Sequence, residues 1–339
     1  MSKTNKTVVV LEAGVNHGND FYLAMRLIEE AASTGADMIK FQTYEAEKLV
    51  TKSAPRFWDR KEDDGKTQFE AYKDIDKFPW EYYPKLKAEC DRLGIEFTST
   101  PFDYESAKML ASIGMTSVKV ASSDLTYLPY LKKIAILFDE IVLSTGASTL
   151  GEIEDAVKVI RDAGNDNIVL LHCTLKYPSE AQNANLRALN TLKVLYPSLR
   201  VGLSDHTLGT AIPLAAIALG AEWIEKHYTV DKTLKNNADH WLSIDTEEAK
   251  FLVNGAREIE LALGSPIKEV KECERETRMY DKRSITTLCD VHKGETFTTT
   301  NLTCKRPGTG ISPKHWDIVL GRTAQEDIEE DTTLTWKHV

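Results

Sequence analysis

Two lysines, two histidines and a set of hydroxyl and carboxyl side chains recur in this sequence at one kind of place: the end of a short apolar run, or the turn just after it. Glu12 closes VVVLE and precedes GVNHG. Lys40 and Gln42 sit in MIKFQT, Thr98 and Thr100 end IEFTST, and Lys119 sits in SVKVAS with Ser122 and Asp124 just beyond. Further on come Ser144 and Thr145, His172, then Ser204, Asp205 and His206, and finally Glu225 and His227. Each has an ordinary explanation when taken alone, such as a surface lysine or a hydrogen-bonded core histidine. Recurrence at successive run ends has none.

The residue types point to a particular chemistry. Lysine attracts a phosphate or carboxylate as a point charge, and the hydroxyls of Ser122, Ser144 and Ser204 can donate to anion oxygens. His206 and His227 end consecutive runs, so their imidazoles can approach each other. Neutral imidazoles bind Mn, Fe, Co or Zn, and an open site with carboxylates nearby also admits Mg. His172, between IVLL and Cys173, reads instead as a satisfied core histidine. Asp239 and His240 lie in a polar loop that either reads substrate hydroxyls or is simply solvated.

The elements that must position these groups follow from the apolar pattern. Eight short β-branched runs are predicted as strands: Thr7–Glu12, Met38–Thr43, Ile95–Thr100, Ser117–Ala121, Glu140–Ser144, Ile168–His172, Arg200–Ser204 and Glu222–His227. Between them, stretches such as FYLAMRLIEEAASTG and GEIEDAVKVIRDAG repeat apolar residues at three and four and end in Gly, the pattern of amphipathic helices. Strict strand–helix alternation means parallel strands with helical crossovers, and eight repeats favour a closed (β/α)8 barrel, whose reacting groups gather at the carboxyl ends of the strands. No GxGxxG follows the first strand. A polar insert between Thr43 and Phe78 reads as an active-site loop. The barrel is expected over residues 1–264, a charged linker over 265–283, and a small, mainly β domain over 284–339, where short runs alternate with Gly/Pro turns.

Composition narrows the classes further. A formal charge of −10 argues against a general nucleic-acid or anionic-membrane binder. Cys90, Cys173, Cys273, Cys289 and Cys304 are odd in number and lack CxxC spacing, which reads as reduced thiols in a cytoplasmic protein. No stretch reaches spanning length, and the first apolar run is too short for a signal peptide.

Several segments in order carry a family resemblance: GVNHG after Glu12, ADMIKFQT, STPFD, VKVASSDLTYLPYL, LSTGAST, LHCTLKYP, GLSDHTLG and EKHYTVDKTLKNNADHWLS. The sequence resembles the sialic acid synthase family, which includes N-acetylneuraminate, legionaminate and pseudaminate synthases. Its tail, KRPGTGISP, is similar to that family's antifreeze-like (SAF) domain.

The resemblance implies a C–C bond-forming transferase that condenses phosphoenolpyruvate with an N-acylated amino-sugar aldehyde and releases phosphate. It implies one divalent metal, Mn or Mg, on His206 and His227, and phosphoenolpyruvate contacts from Lys40, Thr100, Lys119, Ser122, Ser144 and Ser204. Glu12, Gln42, Tyr177, Asp239 and Arg306 match positions facing the sugar or the reacting aldehyde. Glu12 and Asp124 are both candidates for proton transfer, alongside Lys40 and Lys119 in the catalytic set. It also implies a domain-swapped homodimer in which Arg306 reaches the N-acyl group from the partner chain. Three departures bear on the sugar: Asp124 where Glu is frequent, Leu175 where a polar side chain is frequent, and Asn236–Asn237 where Gly or Pro is usual.

Two rivals remain at this level. Lys40 or Lys119 could be the nucleophile of a Schiff-base aldolase, and the run TFTTTNLT could be an adhesive or ice-binding strand, although Thr in a strand ordinarily reflects β-propensity.

Overall fold

In the computed structural model, residues 6–58, 66–235 and 239–339 are described. The chain divides into two compact units, Met1–Gly264 and Ser265–Val339.

The first unit is the barrel. Its strands are β1 (Val8–Gly14), β2 (Met38–Thr43), β3 (Glu96–Pro101), β4 (Ser117–Val120), β5 (Glu140–Ser144), β6 (Ile168–Cys173), β7 (Arg200–Asp205) and β8 (Trp223–His227). Each strand end lies within two residues of its expected place. All neighbours pair in parallel, and β1 pairs with both β2 and β8, so the sheet curls back on itself. Between β3 and β4 the Thr98 hydroxyl donates to the Ser117 carbonyl at 2.9 Å.

Period-two alternation sorts each strand into two apolar layers. One set, including Val9, Leu11, Ile39, Phe41, Val118, Leu143, Leu170, Val201 and Ile224, packs under helices that contribute Leu27, Ile28, Leu86, Leu110 and Leu252. The other set, Val10, Met38, Val142, Val169, Leu171 and Trp223, forms a separate buried cluster that plugs the barrel interior. Gly202 is required in that plug: a Cβ there would lie 2.3 Å from the Trp223 carbonyl.

The helices start where side chains can satisfy their free N–H groups. Asp20 caps Phe21–Ser33, while Thr149 with Glu152 and Asp245 with Glu248 form capping boxes on Leu150–Asp162 and Thr246–Leu263. Gly94 ends Tyr83–Leu93 at φ 74°, which suits glycine. The insert after β2 carries two short helices, Ala46–Leu49 and Gln68–Lys73.

The second unit has its own core of Ile285, Val291, Phe297, Leu302, Ile311, Val319, Ile328 and Leu334. Two antiparallel strands, β9 (Ser284–Thr287) and β10 (Leu302–Lys305), and isolated bridges at Thr286–Thr333, Val291–Ile328 and Thr296–Thr323 hold it together. The stretch read as a linker contains a helix, Arg275–Asp281, and belongs to this unit: the Gly308 N–H donates to the Met279 carbonyl at 2.7 Å. The threonine run does not form a flat strand. Thr298 and Thr300 face each other across a turn at 2.8 Å, and Asn301 closes it, which removes the basis of the adhesive reading.

Candidate active site

The inner residues one layer above the plug are charged. Glu12, Lys40, Lys119 and Glu225 are only 2–4% exposed, yet all four carry formal charge. Lys40 Nζ lies 2.6 Å from Glu12 Oε1 and 3.7 Å from Glu225 Oε1, and Lys119 Nζ lies 3.5 Å from that same Glu225 oxygen. Lys40 also donates to Thr100 Oγ1 at 3.2 Å, Gln42 Nε2 donates to Glu12 Oε1 at 3.0 Å, and the Ser204 hydroxyl donates to Glu225 at 2.9 Å. Ser144 Oγ and Glu225 Oε2 are buried without a partner. Ser122 accepts from the Gly146 N–H at 2.9 Å and also hydrogen-bonds the Cys173 thiol.

The electrostatics separate the acids. Burial alone would raise the Glu12 carboxyl, but Lys40, then His227 and Lys119, outweigh it and hold it well below the usual range. Asp124 behaves oppositely: burial pushes it up to about 7, and Lys119 offsets only part of that. The lysines also split. Burial would lower Lys40, yet Glu12 and Glu225 raise it, whereas for Lys119 burial prevails and its ammonium is pushed down.

Above this layer stand the two histidines, with ring centroids 5.4 Å apart. His206 Nδ1 lies 3.0 Å from the Thr174 carbonyl, an acceptor, so the ring donates there and its lone pair is on Nε2. Burial, followed by the nearness of His227, pushes His206 down to about 3, so it is neutral at ordinary pH. His227 places Nδ1 3.6 Å from Asp239 Oδ2 and Nε2 3.6 Å from Glu12 Oε2. His206 is thus oriented through Nδ1 as a metal-bound histidine would be, whereas His227 Nδ1 is buried without a hydrogen-bond partner, 3.6 Å from Asp239. Among the described residues, no three or more His, Cys, Asp or Glu side chains converge on one cation position. Two imidazoles at this spacing could hold one cation, and Glu12 and Asp239 place carboxylate oxygens 3.6 Å from the His227 ring nitrogens. Tyr177 lies over His206 at 4.1 Å.

Glu12, Lys40, Gln42, Thr100, Lys119, Ser122, Asp124, Ser144, Tyr177, Ser204, His206, His227 and Asp239 thus gather at one end of the barrel. Arg306 belongs to the second unit, where its guanidinium pairs with Asp281 at 2.7 Å and is largely exposed. Asn236 and Asn237 lie outside the described residues. Leu175 lies beside Gly146, where a Cβ on that glycine would come within 3.2 Å of it. His172 bonds the Ala184 carbonyl at 2.8 Å, as a structural histidine should.

Glu225 stood in the sequence as a strand-end residue without a role, yet it links both lysines and Ser204. The signal was available: it precedes His227 by two, so the two share the inner face of β8. Cys173 was missed as well. Its Sγ lies 3.8 Å from His206 Nδ1, and burial raises its thiol, which makes it a packing residue rather than a nucleophile.

A buried charged cup with paired imidazoles at the carboxyl end of a parallel eight-stranded barrel is the architecture of a barrel enzyme. Comparison with known proteins narrows this. A family model described as the NeuB family matches residues 27–268, and one described as the SAF domain matches residues 282–339. The N,N'-diacetyllegionaminic acid synthase of Campylobacter jejuni is 41% identical, covering 97% of this chain and 99% of its own length. That of Legionella pneumophila is 38% identical, covering 98% of this chain and 94% of its own. Among solved structures, the N-acetylneuraminic acid (sialic acid) synthetase of Leptospira borgpetersenii, in complex with citrate, superposes with a TM-score of 0.72 at 37% identity, over 81% of this chain and 90% of that one. The chain belongs to the NeuB family and ends in an SAF domain. None of the described helices is long and apolar enough to cross a membrane.

Proposed function

We propose that the chain is a nonulosonic acid synthase that joins phosphoenolpyruvate to an open-chain, N-acylated amino sugar, with a 2,4-diacetamido-trideoxyhexose as its preferred acceptor. The acceptor is suggested by the two near full-length relatives named as N,N'-diacetyllegionaminic acid synthases. The observation that carries the reaction class is the cup itself, where two buried ammonium groups face two imidazoles across Glu12 and Glu225.

The formal charges of Lys40, Lys119, Glu12 and Glu225 cancel, so an anionic substrate gains from added positive charge. His206 and His227 would hold one divalent cation, Mn or Mg, which when bound supplies that charge and polarises the aldehyde oxygen. Lys40, Lys119, Thr100 and the hydroxyls of Ser122, Ser144 and Ser204 would bind the phosphate and carboxylate of phosphoenolpyruvate. C3 of the enol phosphate forms the new bond to the aldehyde carbon, whose oxygen takes up a proton. Water then adds at C2, and the C2–O bond breaks to release inorganic phosphate.

The proton inventory favours one acid over the other. Asp124, with its carboxyl at about 7, can give or take a proton near neutral pH, whereas Glu12 stays ionised and serves to orient Lys40, Gln42 and His227. Asp239 and Tyr177, beside the imidazoles, and Arg306, supplied across a domain-swapped homodimer, would read the sugar.

The lowered Lys119 is the one observation that favours a Schiff-base aldolase instead. Phosphate release should be measured with phosphoenolpyruvate and each of three acceptors: N-acetylmannosamine, its 6-phosphate and a 2,4-diacetamido-trideoxyhexose. The expected order puts the diacetamido sugar first. Absence of phosphate release with all three, together with a borohydride-trapped pyruvate adduct on Lys119, would replace the proposal by the aldolase.

A further inference from the structure

The residues preceding the two histidines are Asp205 and Lys226, and alternation along β7 and β8 sends them to the outer side of the barrel. They are register partners. Lys226 Nζ lies 2.6 Å from Asp205 Oδ2 and also donates to the Thr207 carbonyl. Asp205 in turn accepts from the Thr207 N–H at 3.2 Å and the Thr207 hydroxyl at 2.9 Å. The residues on both sides of His206 are therefore tied to the residue before His227. A further tie comes from the Ser179 N–H, which donates to the His206 carbonyl at 2.8 Å.

Both charged side chains are nearly inaccessible, at 1% and 3% exposure. They interrupt an otherwise apolar outer layer of Val201, Leu203 and Ile224. A buried ion pair recovers little stability, because desolvation offsets its attraction, and apolar residues of similar volume often serve folding equally well or better. What a pair of this kind adds is direction: one set of partners, one spacing. Apolar contacts tolerate small slides between strands; this network does not.

We propose that the Asp205–Lys226–Thr207 network positions the two imidazoles, setting the spacing of His206 and His227 from the opposite side of the barrel wall. The inference rests on the cation reading of these histidines, and its test separates the two. Mn2+ binding to the cation-stripped full-length protein is titrated by the loss of the free-ion magnetic resonance signal, alongside thermal melts of the same stripped samples. For the apolar double variant Asp205→Leu/Lys226→Met, which removes both charges and also the partners of the buried Thr207 N–H, hydroxyl and carbonyl, the expected result is a lower melting temperature in a protein that still folds, with Mn2+ affinity reduced about tenfold or more. Unchanged affinity in a folded double variant would overturn the positioning role. A parent protein that binds no Mn2+ would overturn the cation reading itself. If the double variant fails to fold, Asp205→Asn decides, since it keeps the shape and the acceptor for the Thr207 N–H while weakening the tie to Lys226. It should then fold and bind Mn2+ several-fold more weakly; a second folding failure would make the network purely structural and end the proposal.

Discussion

Two layers of the same barrel, one step apart along the strands, differ in almost every property. The lower layer is Val10, Met38, Val142, Val169, Leu171 and Trp223, a dry plug. The upper layer is Glu12, Lys40, Lys119, Ser144, Ser204 and Glu225, nearly as buried but built from charges and hydroxyls. On β1, β2, β5 and β8 the step from plug to cup is two residues: Val10 to Glu12, Met38 to Lys40, Val142 to Ser144, Trp223 to Glu225. The difference shows how a barrel holds chemistry without losing its fold: the plug anchors the strands, and the polar layer above relies on their rigidity.

That division can be broken from either side. The largest effect expected is on catalysis from the upper layer. Lys119→Met should lower kcat/KM for phosphoenolpyruvate by about 10²-fold or more, since a desolvated anion contact contributes several kcal/mol, while steady-state kinetics on protein with a normal circular dichroism spectrum checks that the fold persists. Full activity would remove the lysine from the anion site.

From below, Leu171→Ala should cost about 3 kcal/mol of stability by leaving a cavity in the plug, read as a lower urea midpoint. The folded fraction should still turn over at close to the parent rate. A catalytic loss larger than the loss of folded protein would mean that the layers are not separable.

Asp124 sharpens the comparison through pH. Its folded carboxyl titrates near 7, above its unfolded value, so between about pH 4 and pH 7 the native state binds the extra proton. Its contribution to stability is therefore present at low pH and lost as pH rises through 7. Asp124→Asn should narrow that loss, becoming more stable than the parent at pH 8 by roughly 2 kcal/mol, with no advantage at pH 4. Parallel melting curves at both pH values would show that burial does not hold the proton. The same variant should lose the limb of the rate profile near pH 7.

The smallest stability effect belongs to Arg306, whose pair with Asp281 is largely exposed. Arg306→Ala should change the unfolding free energy by under about 1 kcal/mol, yet raise the sugar KM. Mixing it with Lys119→Met chains should restore part of the activity if the arginine is supplied by a partner. No recovery after verified subunit exchange would place the arginine's action within its own chain.

Much of this was legible in the sequence because the relevant physics is local. Strand ends came from β-branched runs and their turns, and period-two alternation set which side chains share an inner face. Polar residues such as Lys40 and Lys119 were conspicuous because that face should otherwise be apolar. The expectations at Asn236 and Asn237, and at residues 59–65 of the insert after β2, fall outside the described residues. What the tertiary structure decided are relations between strands far apart in the chain. Glu225 became the link between Lys40 and Lys119 only when β2, β4 and β8 faced one another across the barrel. Glu12 and Asp124 looked interchangeable as acids in the sequence. They diverge because a carboxyl's proton affinity depends on how much water is removed and which charges lie within a few ångströms: Glu12 has Lys40 at 2.6 Å, and Asp124 has a buried oxygen with no partner. The sequence determined the face each acid occupies, and folding determined its neighbours.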